Sequence, residues 1–122
     1  MAKLIPVYTS SGDLGAYLLY PYLFNREGEW IGFVTQDKSV YTVLGVYVGY
    51  LADGPRILRK RGYEYDRPRL KPPPAPKRLR VPPSAPLAPL MPELQFTEVD
   101  ILQDEPDRLL PLDSTELLTD LD

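Results

Sequence analysis

The chain has 122 residues and a formal net charge of −3, with no histidine and no cysteine. That composition leaves length for one domain and excludes Ser-His-Asp and Cys-His catalysis, disulfides and an ordinary zinc site. All nine tyrosines and all eight glycines precede residue 66, whereas ten of the fifteen prolines lie between Pro68 and Pro92, so the capacity to fold is concentrated in the first half.

That half repeats itself. Tyr8, Phe24, Tyr41 and Leu58 stand 16, 17 and 17 residues apart, and each is followed four places later by Gly12, Gly28, Gly45 or Gly62. Eight places later come Ala16, Gly32, Gly49 and then Asp66; nine places later Tyr17, Phe33, Tyr50 and then Arg67. Three copies are complete, and the fourth keeps Ile57, Leu58 and Gly62 but loses its end. A short period of this kind dictates a repeat architecture. β-branched and aromatic residues flank Ser11-Gly12, Glu27-Gly28, Leu44-Gly45 and Arg61-Gly62, which predicts four β-hairpins with two-residue turns whose second residue is glycine. In that register Tyr41 faces Val48 and Val40 faces Gly49. The face bearing Tyr8, Phe24, Tyr41, Leu58, Tyr17, Phe33 and Tyr50 is then the expected core. Val7, Leu23, Val40 and Ile57, with Leu14, Trp30 and Tyr47, line the other face. Ala16, Gly32 and Gly49 suit close approach of neighbouring backbones where the hairpins converge.

The runs 12–18, 28–34 and 40–51 resemble the bacterial 4-fold β-flower proteins, a family that repeats a hairpin of the form aromatic, three residues, Gly, three residues, small, aromatic. The resemblance covers about residues 4–66. It implies an all-β fold of four short hairpins in a flower-like arrangement, and it carries no activity, because that family has none established.

The start of the chain shows no signal-peptide core, and the apolar run at 43–52 is half the roughly 20 residues a membrane span needs. A soluble, cytoplasmic protein is expected. Charge is segregated: residues 1–55 hold three basic and five acidic side chains, 56–80 ten basic and two acidic, and 81–122 one basic and ten acidic. Three regions follow: a hairpin domain at 4–66, a basic Pro-rich linker at 67–92 and an acidic tail at 93–122. The linker should run as polyproline II, with Pro83, Pro86, Pro89 and Pro92 on one edge and Leu87 and Leu90 on a second. Trypsin is expected to cut first within 67–80. In the tail, 94–102 regains hydrophobic character, but Val99 and Ile101 shift the alternation of Leu94 and Phe96. The end, 112–121, suits a short helix capped at Asp113 or Ser114.

Glycines at the hairpin period form no phosphate cradle, and the carboxylates of the repeats sit at turns, so an enzyme is not expected, nor any cofactor or metal. The expected function is a non-catalytic protein-binding or assembly module. Trp30, Tyr47, Phe96, Leu117, Leu118 and Leu121 are its candidate contacts with partner proteins, and self-association is open to it. The alternatives are a small-ligand site between hairpins, or nucleic-acid binding through 56–80. The second would use Arg56, Arg59, Lys60, Arg61, Arg67 and Arg69 on phosphates, with Tyr63 and Tyr65 as stacking platforms.

Overall fold

Residues 3–62 and 67–112 are described by the computed structural model. Within them the chain is all-β, as its periodicity predicts. One antiparallel sheet holds eight strands in chain order: β1 (Leu4–Tyr8), β2 (Leu14–Leu19), β3 (Tyr22–Phe24), β4 (Trp30–Val34), β5 (Ser39–Thr42), β6 (Tyr47–Ala52), β7 (Arg56–Lys60) and β8 (Glu98–Asp100). The sheet curls until β1 meets the β6–β7 connection, where the Tyr8 amide donates to the Pro55 carbonyl at 2.9 Å.

Each of the first three hairpins turns through one more residue than the sequence pattern suggests. The Gly12 amide donates to the Thr9 carbonyl and the Thr9 amide to the Asp13 carbonyl, and Asn25-Gly28-Glu29 and Thr42-Gly45-Val46 repeat the pair. This is a three-residue loop in which the glycine, at φ +84° to +89°, is the left-handed residue of a bulge. The residue after each repeat's aromatic drives it. The Asn25 carboxamide oxygen accepts from the Glu27 and Glu29 amides, and the Thr42 hydroxyl from those of Leu44 and Val46. The bulge leaves Val40 opposite Gly49 but sets Tyr41 opposite Tyr47, not Val48.

That one-residue slip also moves Leu14, Trp30 and Tyr47 onto the aromatic face, and the aromatic face is the outer one. The interior belongs to Val7, Leu23, Val40 and Ile57, all fully buried, joined by Ala16, Leu18, Ile31, Val34 and Val48. The reason is width. A Cβ on Gly32 would overlap the Tyr41 carbonyl, and one on Gly49 the Leu58 carbonyl, so the small residues of the second and third hairpins touch the next hairpin's backbone. Aliphatic side chains fill so narrow a ring, while Tyr8, Tyr17, Phe24, Phe33, Tyr41 and Leu58, expected as the core, stand outside it and are buried as well.

The fourth hairpin is interrupted. Its second strand is β8, pairing Leu58 with Asp100, Arg59 with Val99 and Lys60 with Glu98. The sheet therefore uses residues well beyond 66, where the repeat pattern alone places the end of the hairpin domain. Helix α1 (Ile101–Asp104) follows at once, capped by the Asp100 carboxylate on the Gln103 amide, and a 3-10 turn spans Pro106–Arg108. The phase shift at Val99 and Ile101 is this change from strand to helix. Ile101 and Leu109 enter the interior cluster. Leu102 packs on Gly15 and Leu109 on Gly32, so the glycines also make room for this plug.

Candidate protein-interaction surface

Residues 67–97 leave β7, run around the outer face and return as β8. In the extended arm the residues that lose solvent contact recur every third position: 73, 76, 79, 82, 85, 88, 91 and 94 are partly buried, and most residues between them are exposed. A three-residue-per-turn helix laid on a surface buries one edge in this way. The Leu70 amide donates to the Gly45 carbonyl at 3.1 Å and the Leu79 amide to the Gly28 carbonyl at 2.9 Å. The Ala88 methyl lies 3.9 Å from where a Cβ on Gly12 would stand. The arm thus passes the third, second and first turns, nine residues apart. Between those points the Tyr22 hydroxyl donates to the Pro74 carbonyl at 2.8 Å and the Tyr8 hydroxyl to the Pro86 carbonyl at 2.7 Å. The Arg67 guanidinium lies 3.9 Å from the Tyr47 ring centroid and donates to the Ser39 hydroxyl.

Arg56 is buried: its guanidinium donates to the Asp53 carbonyl and the Ser10 hydroxyl. Ser10 in turn donates through its hydroxyl and amide to the fully buried Asp100. Arg59 makes a two-pronged ion pair with Glu105, at 2.6 and 2.9 Å, and Arg108 joins the same carboxylate. The Arg59 hydrogen bond, with Arg108 behind it, holds the Glu105 carboxyl down at about 2 against burial, which pushes the other way.

A family model described as 4-fold beta flower protein matches residues 5–103. The chain belongs to the 4-fold β-flower family. Comparison with curated proteins and with solved structures gives no match. The matched span takes in the arm and β8, consistent with a fourth petal that closes late.

On this flower the residues singled out from sequence scatter. Trp30 is half-buried, with its indole N–H donating to the Gly32 carbonyl and its ring edge-on to Tyr22 at 6.2 Å. Tyr47 is buried against Tyr41, which stacks on Phe33. Phe96 is exposed, and Arg61 reaches it, donating to its carbonyl with the guanidinium 5.4 Å from the ring. Leu117, Leu118 and Leu121, the helix expected at 112–121, and Tyr63 and Tyr65 lie outside the described residues apart from Leu112. Of the six basic candidates, Arg56 is enclosed, Arg59 is paired with Glu105 and Arg67 is set on Tyr47, while Lys60, Arg61 and Arg69 are exposed. They do not form one continuous footprint.

What the structure adds is a ridge. Leu87 and Leu90 are 96% and 105% exposed on a backbone fixed on either side by Pro86 at Tyr8, Ala88 at Gly12 and Met91 at Gly54, and Phe96, 86% exposed, follows beside Arg61. The sequence placed Leu87 and Leu90 on one polyproline edge. Which edge would face outward needed the wall beneath it.

Grooves open at two places on the flower. The larger, about 470 Å³, lies between β1 and the arm and is lined by Ile5, Pro6, Tyr17, Pro82 and Pro86, with Lys3 at its edge. Another of about 320 Å³ lies between the first two turns and the plug. Among the described residues, no cluster of three or more His, Cys, Asp or Glu has the arrangement to hold a metal, and no helix is long and apolar enough to cross a membrane.

Proposed function

We propose that this flower is a non-catalytic module that binds partner proteins through the ridge of Leu87, Leu90 and Phe96. The observation that carries the reading is the near-complete exposure of three large apolar side chains on an arm whose neighbouring residues are fastened to a rigid sheet. Free hydrophobes on a loose chain collapse or cost ordering entropy on binding; hydrophobes held on a docked polyproline strand present a preorganised contact. Three such anchors match the pattern in which a few central side chains dominate an interface.

The test is affinity capture from native cells with the full chain and with Leu87→Ser/Leu90→Ser/Phe96→Ser. All three side chains are already in solvent, so the variant should keep its thermal midpoint while its specific partners disappear. Retention of the same partners by the triple variant would remove the ridge from the account. Binding of RNA or DNA at low salt, declining steeply with added salt, would instead favour the basic residues.

A further inference from the structure

We propose that the groove between β1 and the arm is a binding site for a small monocarboxylate with an apolar body, held by the Tyr17 hydroxyl and by Lys3. Tyr17 is 3% exposed, yet among the described residues its hydroxyl has no hydrogen-bond partner. No side-chain oxygen or nitrogen that is shut off from solvent lacks a partner there, so the Tyr17 hydroxyl opens on the groove its residue lines. A phenol so enclosed gains from an acceptor that enters the groove.

The groove exists because the first hairpin departs from the repeat. Pro6 stands two places before Tyr8, where the second hairpin has Tyr22 two places before Phe24. Tyr22 fills its part of the wall, edge-on to Trp30, and its hydroxyl reaches the Pro74 carbonyl. Pro6, opposite Tyr17 in the pairing of β1 with β2, is smaller and has no hydroxyl, and Leu14 stands where the second hairpin has Trp30. The arm crosses this gap with Pro82 and Ala85 on its inward edge, between the contacts of Leu79 at Gly28 and Ala88 at Gly12. The space left is about 470 Å³, within the range of small-ligand sites.

The molecule itself shows what a tyrosine at this place of the repeat binds. Tyr17, Phe33 and Tyr50 are equivalent positions of three copies, and the Tyr50 hydroxyl donates to the Glu98 carboxylate at 2.8 Å. Phe33 has no hydroxyl, and that of Tyr17 is unused. Around it Ile5, Pro6, Pro82 and Pro86 offer an apolar surface, Ser84 and Lys3 add further donors, and no acidic side chain lines the groove. Lys3 attracts an anion and repels a cation, and a single ammonium balances a single negative charge. A monocarboxylic acid with an aromatic or short aliphatic body meets all of these terms.

Amide NMR of the isotope-labelled full chain, titrated with phenylbutyrate, octanoate and benzoate, tests the site, with phenylbutyramide as the uncharged control. At least one acid should shift the amides of Ile5, Tyr17 and Ala85 saturably at millimolar concentration, and phenylbutyramide should bind more weakly than phenylbutyrate. Tyr17→Phe removes an oxygen that bonds to nothing in the free protein. It should keep the thermal midpoint and weaken the acid about ten-fold or more, the range for a hydrogen bond to a charged group. Lys3→Met, at an exposed position, should weaken it a few-fold and flatten its salt dependence. Binding equal for acid and amide, affinity unchanged by Tyr17→Phe, or no saturable shift with any of the acids overturns the site. Shifts centred on Gly15, Asn25 and Leu102 would put the acid in the other groove and overturn it as well. Leu87→Ser/Leu90→Ser should leave the affinity unchanged; its loss there would place the acid on the ridge, against the proposal.

Discussion

Gly45 and Gly62 offer a matched comparison for the arm. Both have positive φ, +84° and +76°, so alanine at either place meets the same backbone strain, about 1–2 kcal/mol. They differ in what lies outside them. A Cβ on Gly45 would overlap the Leu70 carbonyl, whereas one on Gly62 meets no described atom. Gly45→Ala must therefore push the arm away as well. The Leu70 amide then loses its bond to the Gly45 carbonyl, about 1 kcal/mol, and Arg67 its seat on Tyr47, about 0.5–1 kcal/mol. The expected losses are about 2.5–4 kcal/mol for Gly45→Ala and 1–2 for Gly62→Ala. Gly28→Ala should behave like Gly45→Ala, because the Leu79 carbonyl occupies the same place there. Urea unfolding read at the midpoint, with the slope unchanged, measures the difference. Equal midpoints for the Gly45 and Gly62 variants would show that the arm does not press on the turns.

Two further outcomes follow from the interrupted fourth hairpin. Glu105 has a folded pKa of about 2, below its ordinary value of 4.5, so its pairing with Arg59 stabilises the protein above pH 4.5 and that stability is lost as pH falls toward 2; an acid titration of the thermal midpoint should lose part of its slope in that window in Glu105→Gln. Leu109→Ala should cost about 2–4 kcal/mol by calorimetry, since its side chain is buried on Gly32 in the ring; a cost below 1 kcal/mol would mean that the plug is not part of the core.

The repeat spacing in the sequence was enough to give the hairpins and their convergence, because a glycine every 16 or 17 residues and small residues opposite Val40 and Leu23 leave few other arrangements. The side of the sheet that becomes interior was not legible. Both faces are apolar, and choosing between them needed the bulge, whose signal was Thr9, Asn25 and Thr42 one place after each aromatic. The completion of the fourth hairpin was hidden for another reason. Glu98, Val99 and Asp100 match no repeat position in series, and a long loop between paired strands costs only slowly more entropy as it lengthens, so sequence distance gave no clue. The nine-residue register of the arm was present in Arg69-Leu70 and Arg78-Leu79, but its meaning depends on the spacing of the turns it meets. The exposed ridge was half legible: Phe96 stood out by type, while Leu87 and Leu90 became notable once the opposite edge was docked.

The central claim is that the flower is closed by residues beyond its repeats. A chain ending at residue 66 tests it most directly. That truncation removes Val99, Ile101 and Leu109, all buried, and at about 1.5–3 kcal/mol each they amount to roughly 4.5–9 kcal/mol of burial. A domain of this size has about 5–15 kcal/mol of net stability in total. The account predicts that the truncated chain shows no cooperative thermal transition near that of the full protein. A sharp transition at the same midpoint in both would mean that the four hairpins close without β8 and the plug, and would contradict it.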